Sequence, residues 1–354
     1  MDYGIAGILG ADSWKTVQRA ERLGFTHAWF YDSPLYAADI FVAMGAAAIN
    51  TDRIRLGLGV AVPSVRIAPT LANGLASLCK LAPGRIECGL GTGHTARSLF
   101  GVPAIKLAEM REYLRVVRGL LAGDIVEYDF EGASRKIKFM HPWPGLVDSG
   151  DPIEWHLSAM GPRSRQTCAN LGLAWMNFMN GMPQALADLE DMLAKWKAAG
   201  NESNSCYTTA FTLGCVLADD EPPDSPRAKT QAGPLVATVL QHLVKVDEHV
   251  ELGMIGSTDL ALAVAEYQKF YDAYEPADTR YMQFYRGELQ WLLPEEEHLI
   301  TGDLIREITL TGSVHELRER IRRLRDAGYS QLTIQLVNGH EDALDDWARV
   351  IEGV

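Results

Sequence analysis

Several familiar signatures are missing from this 354-residue sequence, and each missing one removes a class of function. The five cysteines (Cys79, Cys88, Cys168, Cys206, Cys215) are odd in number, scattered and never spaced Cys-x-x-Cys, which argues against a disulfide framework or a zinc ribbon. The histidines, among them His141, His156, His242 and His249, never form the His-Glu-x-x-His spacing of a zinc helix, so no metal is expected. Lys and Arg total 33 against 46 Asp and Glu, a net charge of −13, which disfavours broad binding to nucleic acid or anionic membrane. No run of about 18 apolar residues offers a transmembrane helix. The first eleven residues lack the basic start and apolar core of a secretory leader, so a soluble, cytoplasmic protein is expected. Walker loops and Gly-x-Ser-x-Gly elbows are absent, and the glycines of residues 89–93 fail as a dinucleotide fingerprint because His94 stands in place of the third Gly.

What remains is rhythm. Short apolar runs rich in β-formers, bounded by turn residues, alternate with helical stripes. Strands are expected at 3–8, 26–31, 53–62, 85–90, 153–159, 174–179, 207–217 and 331–337. Between them, residues 105–121 carry Leu107, Met110, Leu114, Val117 and Leu121 at helical spacing, and residues 162–171 open on a Pro suited to a first helical turn. Ser313 and Glu316 form a capping box before another helix. The sequence Leu23-Gly24-Phe25 is echoed by Ala327-Gly328-Tyr329, each turning a helix into a strand.

Eight strand–helix units predict an α/β fold, a (β/α)8 TIM barrel in one domain over 1–354, although an open doubly wound sheet uses similar local patterns. Two stretches break the rhythm: 124–151, read as an insertion after strand four, and 227–310, read as a helical excursion after strand seven. In a barrel the functional loops follow the strands, which brings Asp32, 59–66, 91–97, 159–163 and 180–182 to one mouth. Gly89, Gly91 and Gly93 remove side chains there and are read as a floor that a ligand approaches closely.

The stretches Arg19-Ala20-Glu21-Arg22-Leu23-Gly24-Phe25, Asp32-Ser33-Pro34-Leu35, Arg53-Ile54-Arg55-Leu56-Gly57, Gly84-Arg85-Ile86 and Gly91-Thr92-Gly93, with Ala159-Met160-Gly161-Pro162 later, resemble the bacterial luciferase-like oxidoreductases. The turn at Asp32 is closer to the branch that uses the deazaflavin coenzyme F420. The resemblance implies a flavin or deazaflavin at the C-terminal mouth, a homodimer or larger homo-oligomer, and a small organic substrate. It implies Asp32 near the ring and a non-prolyl cis peptide at about Gly59-Val60 behind it. Met160, Gly161, Pro162, Arg163, Asn180 and Gly181 map to the cofactor tail.

Three positions depart from the family pattern: Val62 for a frequent polar residue, Arg97 for an Asn in some sugar-phosphate dehydrogenases, and His94 for Glu or Asp.

A planar ring needs one apolar wall, hydrogen bonds at its pyrimidine edge and an open face for hydride transfer. Main chain at Gly59, Val60, Ala61 and Val62 suits the wall, with Gly91, Thr92, Gly93 and Arg97 beside it. Arg163 and the helix start at Pro162 offer a positive end for phosphate. His94, titrating near neutrality, is the candidate proton donor, its alternative a hydrogen bond to a neighbouring loop. Asp32 is the second catalytic candidate, its alternative a turn former. The leading reading is an F420-dependent oxidoreductase moving a hydride to or from a small molecule. An FMN-dependent, oxygen-using monooxygenase and a non-catalytic flavin-binding barrel are the alternatives.

Overall fold

The structure, a computed structural model, describes residues 1–140, 145–245 and 258–354. Eight parallel strands close into a barrel, in the spatial order Asp2–Ile8, Gln331–Gln335, Thr208–Thr212, Ala174–Phe178, Glu154–Ser158, Ile86–Leu90, Arg55–Ala61 and His27–Phe30. The expected (β/α)8 fold is therefore the one observed. Each strand ends within three residues of its expected limits, except the seventh, expected to reach residue 217. It stops at Thr212, and the chain beyond it takes a new backbone partner: Leu310 N–H donates to the Leu213 carbonyl (3.0 Å), and the close approach leaves no room for a Cβ at Gly214. Val216–Leu217 then pairs with Gly312–Ser313 as a separate two-stranded sheet.

The contacts gather into two compact units: Met1–Gly7, Asn177–Ala194 and Tyr207–Val354 in one, Ile8–Met176 and Lys195–Cys206 in the other. In the second unit, two residues of the family signature act as scaffolding. Glu21 Oε1 accepts the backbone N–H groups of Asp52 (3.0 Å), Arg53 (2.6 Å) and Ile54 (2.8 Å), fixing the entry to strand three. Arg85 donates to the Ala48 and Thr51 carbonyls (2.9 and 3.1 Å), at the end of helix Ile40–Asn50 where intrahelical partners run out, and to the Ile54 carbonyl (3.0 Å) in the loop before strand three. The start of that helix is capped by Asp39, which accepts from Phe41 and Val42.

Burial raises the Glu21 pKa, but the three N–H groups and Arg53 outweigh it and hold the carboxyl below its ordinary value. A depressed folded pKa stabilises above the unfolded value, about 4.3, and that contribution is lost as pH falls through the folded pKa. Glu21→Gln is therefore expected to lower the melting temperature at pH 7 and to converge with the parent below about pH 4, which thermal melts across pH will check.

Within 124–151, Val126–Phe130 pairs antiparallel with Ala133–Ile137 across Glu131 and Gly132, both at positive φ as a two-residue hairpin turn requires. His141, Pro142, Trp143 and Pro144 lie outside the described residues. In the other unit, the described part of 227–310 is a set of helices joined by turns, with Pro226–Lys245 and Thr258–Ala273 the longest among the described residues. His249 lies outside the described residues. The 285–291 segment of this stretch folds onto the end of strand eight: Gln335 Nε2 donates to the Leu289 carbonyl (2.6 Å), and Asn338 N–H donates to Gln290 Oε1 (3.0 Å). No described helix is long and apolar enough to cross a membrane.

Candidate active site

Strand three keeps its register with strand four up to Leu58, opposite Cys88, and resumes it at Ala61, opposite Leu90. Gly59 and Val60 lie in the slip, without a ladder partner and partly exposed between the fully buried Leu58 and Ala61. The Gly59–Val60 peptide bond is cis, where the family resemblance places one. The slip thus leaves main chain without ladder partners and the partly exposed Val60 side chain lying over strand four, as a ring wall requires.

The glycines of strand four serve this bulge, which corrects the reading of them as open room for a ligand. A Cβ at Gly91 would stand 2.6 Å from Val60 Cγ2, and one at Gly89 would stand 2.6 Å from Met176 Sδ and 3.2 Å from Val60 Cγ1. At Gly93, φ is +87° and Val62 Cγ1 occupies the side-chain position. The empty space is filled by Val60 and Val62, so the glycines shape the wall from behind.

Asp32, buried after strand two, is held by a residue that sequence reasoning missed. Arg66 Nε donates to Asp32 Oδ2 (2.9 Å) and its Nη2 to Oδ1 (3.1 Å), a bidentate pair that also reaches Asp39 Oδ2 (2.8 Å). The guanidinium lies 5.0 Å over the Phe41 ring, and Tyr113 Oη donates to the Arg66 carbonyl (2.8 Å). Burial pushes the Asp32 carboxyl above its usual range against the pull of Arg66. Asp39 is likewise opposed by burial but, drawn by Arg66 and two helix N–H groups, sits below it. An Arg among loop residues 63–67 gave no periodic signal; only a partner for a buried Asp would have pointed to it.

Arg97 braces loops. Its Nε donates to the Pro103 carbonyl (2.5 Å), one Nη donates to Ser64 Oγ, and its stem packs on Gly93. Thr92 accepts from Ile105 N–H (2.9 Å). His94 is exposed at the start of the short helix Thr95–Ser98.

Further along the same unit, Gly161 precedes helix Pro162–Leu171, whose first turn is tied by Ser164 Oγ accepting from Gly161 N–H (3.1 Å). Arg165 donates to the Met160 carbonyl (2.6 Å), while Arg163 is exposed. In the other unit, Asn180 is exposed and Gly181, at φ +88°, precedes helix Met182–Ala198. A Cβ at Gly181 would stand 2.5 Å from the Glu307 carbonyl oxygen, so glycine is required there by packing as well as by φ. A groove of about 530 Å³, lined by Ile67, Leu120, Tyr128, Phe130 and Ile137 under the hairpin, shares no residue with the Gly59–Val60 wall.

The sequence profile of the luciferase-like monooxygenases matches residues 11–331. The chain belongs to that family.

Its relatives include a 5,10-methylenetetrahydromethanopterin reductase of Archaeoglobus fulgidus, 31% identical over 329 residues, covering 89% of this chain and 86% of the relative. Among solved structures, the coenzyme F420 dependent tetrahydromethanopterin reductase of Methanopyrus kandleri superposes with a TM-score of 0.70 at 20% identity, covering 98% and 97% of the two chains. The FMN-bound oxygenating constituent of 3,6-diketocamphane monooxygenase from Pseudomonas putida gives 0.65 at 13% identity, covering 99% and 95%. At these identities the two structures establish the shared fold. Membership of the family makes the chain an oxidoreductase.

Proposed function

We propose that the chain is an F420-dependent oxidoreductase that moves a hydride between the deazaflavin and a small organic substrate. The observation that carries this reading is the unpaired Gly59–Val60 segment, backed by glycines whose side-chain space is filled by Val60, together with a reductase relative that matches over most of both chains. A flat ring fits such a wall: Val60 offers an apolar surface, and main chain without ladder partners offers polar groups to a pyrimidine edge.

When bound, the deazaflavin supplies the hydride chemistry. The chain's part is binding, orientation and proton handling. Gly59, Val60, Ala61 and Val62 form the wall, with Gly91, Thr92 and Gly93 behind it and Arg97 bracing the loops. Asp32, with both oxygens held by Arg66, is a fixed polar partner rather than a mobile acid. His94, exposed at its loop, is the proton donor to substrate. Met160, Gly161, Pro162 and Arg163 receive the phosphate-bearing tail through the helix start and one cation. Arg163→Glu is expected to weaken F420 binding about tenfold with fold and melting temperature unchanged, read by fluorescence titration. Unchanged affinity would remove Arg163 from the site.

The FMN-bound relative structure keeps a second reading in play, in which reduced FMN and oxygen make the chain a monooxygenase. Oxygen uptake separates the two. Turnover with reduced F420 under anaerobic conditions supports the first reading; oxygen consumption dependent on reduced FMN and substrate supports the second.

The same reading takes the chain as a homodimer, supported by helix Ile40–Asn50, which carries no charged residue yet leaves Val42 59% and Ile49 69% exposed. Val42→Glu with Ile49→Glu is expected to halve the mass measured by light scattering.

A further inference from the structure

A buried charged cluster lies beneath the proposed ring wall, and no step above uses it. Glu87, in strand four and 3% exposed, has its Oε1 beside Arg55 Nε of strand three and 3.3 Å from His27 Nε2 of strand two; its Oε2 lies 3.0 Å from His156 Nε2 of strand five. Strands two and five are not neighbours, so these side chains meet inside the barrel. Thr26 Oγ1 stands 2.8 Å from His27 Nδ1, which directs the other ring nitrogen to the carboxylate. Both histidines also touch the fully buried Trp29: His27 is stacked on it at 6.4 Å and 6°, and His156 meets it edge-on at 5.0 Å. The indole presses on strand three, where a Cβ at Gly57 would overlap the ring and one at Gly59 would stand 3.3 Å from Trp29 Cε3.

Well-packed apolar residues often replace a buried ion cluster at no loss of stability, so such a cluster is weak grounds for a purely stabilising role. Its geometry instead forms a chain of contacts: one carboxylate orients two imidazoles, the imidazoles fix one indole, and the indole supports Gly57 and Gly59. We propose that Glu87 is a positioning residue that, through His27, His156 and Trp29, sets the seat of the Gly59–Val60–Ala61 wall for a bound ring. The proposal rests on the functional reading above for its ligand, but its mechanical part stands on the side-chain contacts alone.

The test uses the full chain, with methyl-labelled valine and ¹⁵N-labelled tryptophan, and two variants, Glu87→Gln and Trp29→Phe. Wild type is first titrated with F420 and with FMN. At a temperature well below melting, each variant is expected to bind the preferred cofactor about tenfold more weakly than wild type. The Val60 methyl signals should shift in both variants, and the Trp29 indole N–H signal in Glu87→Gln, its assignment given by its loss in Trp29→Phe. A lowered melting temperature with unchanged affinity and unshifted Val60 signals would overturn the proposal, leaving Glu87 a structural residue only. Should wild type bind neither cofactor, the functional reading fails, and the Val60 and Trp29 signals alone decide the mechanical link. Should Glu87→Gln fail to fold, Trp29→Phe decides it: unmoved Val60 methyls and unchanged affinity would overturn it.

Discussion

Gly91→Ala is expected to weaken cofactor binding about a hundredfold in a chain that still folds, and Val60→Ala in the same chain is expected to recover most of the loss. Gly91 is not among the glycines at positive φ, so alanine meets no backbone penalty there and the effect is one of space alone. The added Cβ would stand 2.6 Å from Val60 Cγ2, and Val60 cannot turn toward strand four because Cγ1 already lies over Gly89. The bulge must then move outward. Overpacking of this kind costs about 1–3 kcal/mol of stability, within what a barrel of this size tolerates. A displacement of about 1 Å at a binding wall is far more damaging to function. Truncating Val60 removes the colliding methyl, so the double variant separates a steric cause from a general loss of structure. Equal weakness in the single and double variants would show that Gly91 acts in some other way.

Arg66→Gln is expected to cost about 3–5 kcal/mol at pH 7, the largest stability effect among the site residues, because it strands a buried carboxylate. The Asp32 side chain is 2% exposed, and Arg66 supplies hydrogen bonds to both its oxygens. Asp32 already sits above its usual range because burial outweighs Arg66; without the guanidinium its folded pKa rises further. A raised carboxyl pKa destabilises the folded state above that pKa and not below the unfolded one. The deficit of Arg66→Gln relative to wild type should therefore shrink as pH falls toward about 4. Denaturant titrations at pH 7 and pH 4.5 will show this, and a deficit independent of pH would mean that Asp32 is not the group left unpaired.

The barrel was legible because its strands are short apolar runs between turn residues and its helices carry stripes. Pro162 and Gly172 mark both ends of one helix, and the described helix is Pro162–Leu171. Asp32 and the Gly59-Val60 peptide came from resemblance, since no local pattern announces either. The register slip between Leu58 and Ala61 has a faint local signal in Gly57 and Gly59, since glycine within a strand often marks a bulge, but composition alone does not say which residues lose their partners. Arg66 lies 34 residues from Asp32, and a pair at that separation is made by the fold. The glycine run is plain in the sequence; what lies against it is not. Periodicity shows where side chains are missing, not that Val60, Val62 and Met176 fill the space. Glu21 and Arg85 had looked like family signature only, and their backbone hydrogen bonds show them to be fasteners of the loop before strand three.

The most direct test of the central claim is a crystal structure of the chain grown with F420. The account predicts the deazaflavin ring in van der Waals contact with Val60 and hydrogen-bonded to main chain within Gly59–Val62, its phosphate at the start of helix Pro162–Leu171. A ring bound in the groove between Ile67 and Phe130, or anywhere out of contact with Val60, would contradict it.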